Sequence, residues 1–376
     1  MAIAITPASQ YSPFSQNDDL HFMALAQRLA LKGLGRTGEN PSVGAVIIDP
    51  LTQHILGAAY TAEGGRPHGE PQAIMQAGEK AKGAILYVTL EPCAHFGKTP
   101  PCADAIIKAG IERVVIGMLD PDPRTCGQGR DRLIAAGVKV DILPQKAASA
   151  LQLSLLSHSH KILRNRPFIT VKMAMSADGF IAAKQGKRVA ISSPQTNAFT
   201  HLLRASHNGI LVSGTTWNND KPSLNVRLKG MEKYSPQPFI LSQQAMDIST
   251  KSSNDAALST IHLTATKGDK ASLEAALNEI ASTHNITRLL IETGAQLFAQ
   301  MIAFSLADRV ILYRSQTKEI TQGVKAFTPD SDSNFMTLPH YINTNAFQRG
   351  EDDIRIFWHQ RYQNLIENAT LPYEEF

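Results

Sequence analysis

Short unbroken apolar runs alternate along this chain with stretches whose apolar residues recur at helical spacing, the texture of parallel sheets flanked by helices. In the first half the spacing predicts a helix over 20–32, capped by Asn17-Asp18 and ended by Gly33 and Gly35. Runs at 42–48 and 55–60 read as strands joined by a turn at Asp49-Pro50. The loop Glu63-Gly64-Gly65-Arg66-Pro67 delivers His68 to the start of a helix ending near Gly78. A buried strand over 85–90 is followed by a helix from Cys102 to a stop at Gly110. Strand 113–119, the rigid turn Asp120-Pro121-Asp122-Pro123, helix 130–136 and strand 138–143 complete a three-layer α/β domain ending near residue 145.

A helical stretch over 145–164 joins this to a second α/β pattern. Strands are expected at 168–173, 209–212, 239–241, 261–264, 288–291, 310–313 and 354–358. Helices are expected over 194–203, 273–280 and 295–304, the first opened by Ser193-Pro194. Polar stretches at 247–260 and 328–334 read as loops. The domain division is therefore 1–145, a connector at 146–166, and 167–376.

Composition narrows the function classes. At 376 residues, 43 % hydrophobic and 19 % charged, the chain has the make-up of a globular protein with two cores. A net charge of +4 without a basic run argues against nucleic acid but suits a phosphorylated small molecule. Three cysteines point to a reducing compartment without disulfides. No apolar run is long enough to cross a bilayer, and residues 1–14 lack the pattern of a signal peptide, so a cytoplasmic protein is expected.

The chemistry concentrates between residues 68 and 102. His68-Gly69-Glu70 precedes the strand, Glu91-Pro92-Cys93 follows it, and Cys102 opens the next helix. One imidazole and two thiolates make a zinc site with a fourth, open position, the arrangement of catalytic zinc. Glu70, two residues beyond His68, can reach a water at that position without ligating. His-x-Glu followed by Pro-Cys and a second Cys is the signature of zinc deaminases, in which the glutamate carries protons to the departing amine. The general pattern has two residues between the cysteines; here eight intervene. Three inert buried thiols are the bland alternative. In the second half, Ser213-Gly214-Thr215-Thr216 and Thr293-Gly294 are strand-to-helix turns that could each seat a phosphate, although neither is a dinucleotide fingerprint or a Walker loop.

Several longer motifs carry a resemblance. Asn40-Pro41-Ser42-Val43-Gly44, Pro67-His68-Gly69-Glu70, the run from Thr89 to Cys102 and Asp120-Pro121-Asp122-Pro123 resemble the deaminase half of the bifunctional riboflavin-biosynthesis deaminase/reductases. The run from Lys172 to Gly179, Leu203-Arg204, Asp220 to Leu224 with Arg227, and Glu292-Thr293-Gly294 are similar to the reductase half. The long gap between cysteines is the normal form in that family. The resemblance implies a cytidine-deaminase-like α/β/α domain followed by a dihydrofolate-reductase-like α/β domain. It implies zinc-dependent deamination of 2,5-diamino-6-(5-phosphoribosylamino)pyrimidin-4-one, then NADPH-dependent reduction of the ribosyl group to a ribityl chain. It further implies a homo-oligomer, dimer or tetramer.

Residue by residue, the resemblance implies zinc on His68, Cys93 and Cys102, proton transfer by Glu70, and deaminase substrate contacts at Asn40, His95, Lys98 and Asp120. It implies NADPH contacts at Ala174, Thr216, Asp220, Ser242 and Gly294, and reductase substrate contacts at Arg204, Leu224, Arg227 and Glu292, with Arg204 or Arg227 forking a phosphate. Some positions depart from the family pattern: Gly69 replaces an alanine, Thr61 a histidine and Asp122 an asparagine. Ala190-Ile191 stands for Trp-Ile, Asp220-Lys221-Pro222 for Asp-Asp-Pro, and 314–323 lacks the usual Pro-Lys-Leu-Leu-Gly. Two rival readings are a nucleotide deaminase whose second half only binds or dimerises, and a structural zinc module with Cys126 or His95 as fourth ligand.

Overall fold

The computed structural model of the chain describes residues 16–97, 99–144, 149–186, 189–244, 259–327 and 332–368. Position 98, residues 1–14, where no signal peptide is expected, the start of the connector at 145–148, and the loop segments 247–258 and 328–331 lie outside them. Contacts divide the chain into two compact units, with the division falling after Ser154 and with Leu34–Pro41 and Glu63–Gly65 grouped with the second.

In the first unit the apolar runs become strands β1 (Gly44–Ile48), β2 (Ile55–Tyr60), β3 (Ile85–Val88), β4 (Arg113–Ile116) and β5 (Lys139–Ile142). They form one sheet in the order β2-β1-β3-β4-β5, antiparallel between β2, β1 and β3 and parallel beyond. Both β1 and β3 are buried along their whole length, as continuous apolar runs require. Helices α1 (Gln16–Lys32), α2 (Gly69–Ala77), α3 (Cys102–Ala109) and α4 (Gln128–Ala135) accompany the sheet. Asn17 and Asp18 do not cap α1, which starts at Gln16 and runs through them. The acidic residue that matters there is Asp19, which accepts both Nη groups of Arg113 at 2.9 and 2.8 Å and the Tyr87 hydroxyl at 2.7 Å, fastening α1 to β3 and β4.

Helix α5 (Ser149–Arg164) crosses the division between units. The second unit is built on β6 (Phe168–Met175), β7 (Phe180–Ala183), α6 (Pro194–Ala205), β8 (Gly209–Ser213), α7 (Gly214–Asp220), β9 (Gln237–Ser242) and β10 (Ile261–Thr264). It continues with α8 (Lys270–Ser282), β11 (Arg288–Glu292), α9 (Ala295–Ala303), β12 (Arg309–Ser315), β13 (Gly323–Lys325), β14 (Tyr341–Arg349), β15 (Asp352–His359) and α10 (Gln363–Asn368). Eight strands make a sheet in the order β10-β9-β8-β11-β6-β12-β15-β14, parallel from β10 to β12 and antiparallel at the last two, while β13 pairs with β7 separately. Ser193 caps α6 as expected, its hydroxyl accepting from the Thr196 amide at 3.3 Å.

One buried carboxylate ties the second unit together. Asp308, fully buried, accepts a fork from Arg166 at 2.8 and 2.7 Å, the Ile169 amide at 2.8 Å and the Tyr362 hydroxyl at 2.7 Å. It thereby joins the start of β6, the start of β12 and the turn before α10. Burial alone would raise its pKa, but His160 opposite it, the Arg166 fork and the Ile169 amide hold it well below the ordinary carboxylate range. A group depressed in this way adds stability above the unfolded-state value of about 3.9, and that stability is lost as pH falls toward the folded value. Asp308→Asn leaves Arg166 buried without a counter-charge and is expected to cost about 3–5 kcal/mol in urea unfolding at pH 7. Its stability should also fall less steeply below pH 4 than that of the parent chain, which acid titration followed by circular dichroism measures.

Candidate active sites

The first site is assembled at helix starts and a strand end. His68 is the N-cap of α2, Cys102 is the first residue of α3, and Cys93 follows the carboxyl end of β3. The Gln72 amide lies 2.7 Å from the Tyr60 carbonyl oxygen and 3.0 Å from those of Pro67 and His68, clamping the loop that carries the histidine. Gly69 fits by close approach, since a Cβ there would come within 2.8 Å of the Val43 carbonyl oxygen. The departure from alanine at Gly69 is thus matched by local packing against β1 and β2.

His68 Nδ1 lies 3.3 Å from Cys102 Sγ and 3.8 Å from Cys93 Sγ, and the three ligand atoms fall within 4.8 Å of one another. A tetrahedral zinc with bonds of about 2.05 Å to nitrogen and 2.3 Å to sulfur has an N-to-S edge of roughly 3.6 Å, which these distances bracket. The donor set of one imidazole and two sulfurs therefore fits zinc in chemistry and in spacing. The group contains neither Cys126, which is exposed, nor His95, so no fourth protein ligand joins it among the described residues.

Charge at the site follows from the same crowding. The Cys102 amide donates to Cys93 Sγ at 3.3 Å, placing that sulfur at the amino end of α3. The hydrogen bond with the Cys102 thiol, more than any other influence, brings the Cys93 thiol down to about 4. Cys102, which keeps the shared proton and is buried, is pushed up. Two adjacent sulfurs cannot both ionise without a cation between them. Glu70 is buried, its Oε2 has no partner among the described residues, and burial holds its carboxyl above the usual range, with charged His68 opposing.

Around this centre the expected substrate contacts are placed unevenly. His95 is exposed on the loop between Cys93 and Cys102, and Lys98 lies outside the described residues. Asn40 belongs to the segment Leu34–Pro41 of the second unit. Asp120 follows β4, its carboxylate accepting the Asp122 amide at 2.9 Å and the Thr125 hydroxyl at 2.8 Å. A residue that sequence reasoning missed holds this loop. Glu91 is buried and accepts the amides of Asp120 at 3.1 Å, Gly127 at 2.9 Å and Arg130 at 3.0 Å. Its partners stand 29 to 39 positions away, beyond the reach of local patterning; its place in the Glu-Pro-Cys motif was the one available signal.

The second site is a cavity of about 1080 Å³ at the carboxyl ends of β6, β8, β9, β10 and β11, where open α/β sheets bind their ligands. It brings together all five positions expected for the dinucleotide, Ala174, Thr216, Asp220, Ser242 and Gly294, with Arg204, Leu224 and Glu292. Its volume exceeds the ordinary range for one drug-sized ligand, leaving room for a dinucleotide beside a second molecule. The two turns differ. In α7 the Ser213 hydroxyl caps the helix itself, accepting from the Thr216 amide at 3.2 Å. At α9 the N-cap is Gly294, with no side-chain cap. Its φ of −84° requires no glycine, and a Cβ there would meet only Ile181 Cδ1 at 3.8 Å, so the missing side chain leaves space to the cavity.

Arg204 spends its fork inside the protein, donating to both Glu292 oxygens at 2.7 and 2.8 Å and to the Asn225 carbonyl at 2.9 Å. Burial would raise the Glu292 carboxyl, but Arg204, with Lys172 beyond it, brings it down to about 2. Lys172 lines the cavity with Nζ 4.6 Å from the centre of the Tyr313 ring. Burial lowers its pKa, with Glu292 opposing and Arg204 reinforcing. It too was missed as a site residue, because an inward lysine in an apolar strand is not distinguishable from a pattern break until the sheet is assembled.

Fold and sites together define a zinc-dependent deaminase joined to a reductase. Residues 16–118 match the cytidine and deoxycytidylate deaminase zinc-binding region, and residues 167–315 match the RibD C-terminal domain. The riboflavin biosynthesis protein RibD of Aquifex aeolicus is 36 % identical over 312 residues, covering 78 % of this chain and 86 % of that one. That of Escherichia coli is 42 % identical over 216 residues, 57 % of this chain and 58 % of its own. Among solved structures, RibD of Acinetobacter baumannii is 28 % identical with a TM-score of 0.79, covering 90 % of this chain and 98 % of that one. A Thermotoga maritima protein described as a diaminohydroxyphosphoribosylaminopyrimidine deaminase/5-amino-6-(5-phosphoribosylamino)uracil reductase has the same identity, with a TM-score of 0.78 over 91 % and 98 %. The chain belongs to the RibD family: it is a bifunctional enzyme of riboflavin biosynthesis, a zinc-dependent deaminase and NADPH-dependent reductase. No helix among the described residues is long and apolar enough to cross a membrane.

If His68, Cys93 and Cys102 are the ligands, Cys102→Ser should weaken zinc binding by more than the roughly 10–100-fold that loss of a supporting hydrogen bond costs. The variant should release no ammonia while still oxidising NADPH with deaminated substrate. Metal analysis of the purified variant checks this; a full complement of zinc would assign the metal to other donors.

Proposed function

We propose that residues 1–145 deaminate the diaminopyrimidinone phosphate, that 146–166 connect, and that 167–376 reduce the product, with roles as follows. His68, Cys93 and Cys102 hold the zinc, which when bound supplies the Lewis acidity that makes a water nucleophilic near neutral pH. Glu70 takes a proton from that water as its oxygen bonds to the amino-bearing carbon. It passes that proton to the neighbouring ring nitrogen, whose double bond to the attacked carbon becomes single, and then carries the new hydroxyl's proton to the departing nitrogen, so that the C–N bond breaks, ammonia leaves and a carbonyl remains. The observation that carries this reading is the buried, unpartnered Oε2 of Glu70 beside the His-Cys-Cys cluster. A carboxyl raised by burial is suited to hold a proton between the two steps. Asn40, His95, Lys98 and Asp120 contact this substrate.

In the second site Ala174, Thr216, Asp220, Ser242 and Gly294 hold NADPH, whose chemistry is hydride donation. The amino end of α9 at Gly294 offers its amides to a phosphate. Arg204, Leu224, Arg227 and Glu292 meet the substrate. Lys172 donates the balancing proton to the ribose ring oxygen as the bond from that oxygen to C1′ breaks and C1′ is reduced. An ammonium whose pKa is lowered by burial gives up a proton near neutral pH more readily than an exposed one. A reducing, cytoplasmic setting suits paired thiolates, and a homo-oligomer is the proposed assembly.

The two roles are separable by experiment. Glu70→Gln should lower ammonia release by at least about 100-fold, within the range general acid–base catalysis supplies, while leaving reduction of supplied uracil intermediate intact. Lys172→Met should do the reverse. Loss of both activities in either variant would contradict two independent sites.

A further inference from the structure

The buried arginines of the second unit are of two kinds. Arg166 and Arg204 are each forked onto a carboxylate, Asp308 and Glu292. Arg288 and Arg309 are as deeply buried, at 4 % and 5 % exposure, yet among the described residues no carboxylate pairs with either. Both stand at the amino ends of their strands, β11 and β12, which flank β6. That is the end of β11 away from the large cavity. In register, Arg288 lies beside Phe168 and Arg309 beside Thr170. Phe168 and Thr170, two apart, share one face of β6, and both guanidinium groups lie over it. Arg288 Cζ is 5.7 Å from the centre of the Phe168 ring, and Arg309 Nη2 donates to the Thr170 hydroxyl at 3.2 Å.

The neighbouring polar groups supply no counter-charge. Arg288 Nε donates to the Ser206 carbonyl oxygen at 2.9 Å. His207 is buried beside them, with Nδ1 2.6 Å from the Leu203 carbonyl oxygen and Nε2 3.0 Å from the Thr170 hydroxyl. A carbonyl only accepts, so Nδ1 carries the proton and Nε2 accepts from Thr170. Burial, with Arg288 and Arg309 reinforcing, holds this imidazole well below its ordinary pKa. Thr170 thus spends its proton on His207 and a lone pair on Arg309. Arg309 Nε is buried and has no partner among the described residues. Burial, with Arg309 adding repulsion, brings Arg288 down to about 9. Burial, with Tyr313 opposing, brings Arg309 down to about 10. Both remain cations at neutral pH, and buried cations persist where an opposite charge meets them.

We propose that Arg288 and Arg309 hold a small monovalent anion of the halide type, a structural site at the amino ends of β11 and β12. The anion gives the orphaned Nε of Arg309 an acceptor and replaces a repulsion between two guanidinium groups by two attractions. A compact acceptor suits the place, because the surrounding hydroxyl, carbonyl and imidazole are already committed. The site steadies β11 from the end opposite Glu292 and takes no part in either reaction. A carboxylate from a second copy of the chain is the other source of the same charge, and the two are distinguishable.

The test is urea unfolding of the full chain in sodium chloride and in sodium gluconate at equal ionic strength. Fluorescence of Trp217 and Trp358, the two tryptophans and both in the second unit, follows it. Chloride at about a hundred times its dissociation constant should raise the ratio of folded to unfolded chain about a hundredfold over gluconate, and the gain should saturate. Crystals of the parent chain containing bromide should show an anomalous peak between Arg288 and Arg309. Arg309→Met should abolish the difference between the salts. Arg309→Glu, which offers Arg288 a carboxylate from within the chain, should abolish it too while staying at least as stable in gluconate as the parent. An equal chloride effect in the parent and Arg309→Met, or a parent crystal without bromide at the site, would overturn the proposal. Stability that ignores chloride but rises with protein concentration would assign the counter-charge to a second copy, and the proposal would fall.

Discussion

Two sulfurs and an imidazole nitrogen packed within 4.8 Å of one another make up an arrangement the polypeptide cannot keep fully ionised alone. Everything around them in the first unit serves to hold that arrangement. The amino end of α3 points an amide at one sulfur, Gln72 fixes the loop before the imidazole, and Gly69 lets α2 sit close against β1. Glu91 then anchors the Asp120–Gly127 loop and the start of α4 with a carboxylate that accepts three amides. These supports tie the site's loops to the ends of α2, α3 and α4.

The second unit solves a related problem with the opposite sign. Among the charged side chains lining its cavity are Lys172, Arg204 and Glu292, drawn from β6, α6 and β11. Arg204 and Glu292 are paired in a fork, so each is compensated, while Lys172 faces an aromatic ring and is attracted by Glu292 and, more weakly, Asp352. Partial compensation leaves a lysine able to exchange its proton, whereas a directly paired one is locked. The Asp308 network at the other end of β6 and β12 has no such slack. There Asp308 is forked by Arg166 and bonded by Tyr362, and the role is to hold strands and chain end together.

How far all this was legible in the chain depends on where each signal lives. Elements with their own caps were readable: Ser193-Pro194 before α6 and Gly110 after α3 mark boundaries that the structure keeps. The start of α1 was misplaced because Asn17-Asp18 resembles a cap in isolation, whereas the helix extends back to Gln16. Strand β14 escaped notice because it lies at a sheet edge, half exposed, with a register shift at Asn343/Asn345 that breaks the alternation. The four-residue β7, the three-residue β13 and the seven-residue, largely polar α7 are too short to carry a period. The zinc ligands and Glu70 were legible because the chemistry needs those residue types at nearly fixed spacing. Lys172, Glu91 and the engagement of Arg204 with Glu292, 88 positions away, were not, since each depends on a neighbour supplied by the fold.

The eight-residue excursion between the two cysteines is pinned at both feet. The Ala103 amide donates to the Cys93 carbonyl at 3.2 Å, and the Cys102 amide reaches the Cys93 sulfur. Doubling the length of such a segment costs only about 0.6 kcal/mol in closure entropy. Grip on the ion and choice of what is brought to it are therefore decoupled. A deaminase of this design can lengthen, shorten or rewrite its approach loop and acquire a new clientele without renegotiating its catalytic centre.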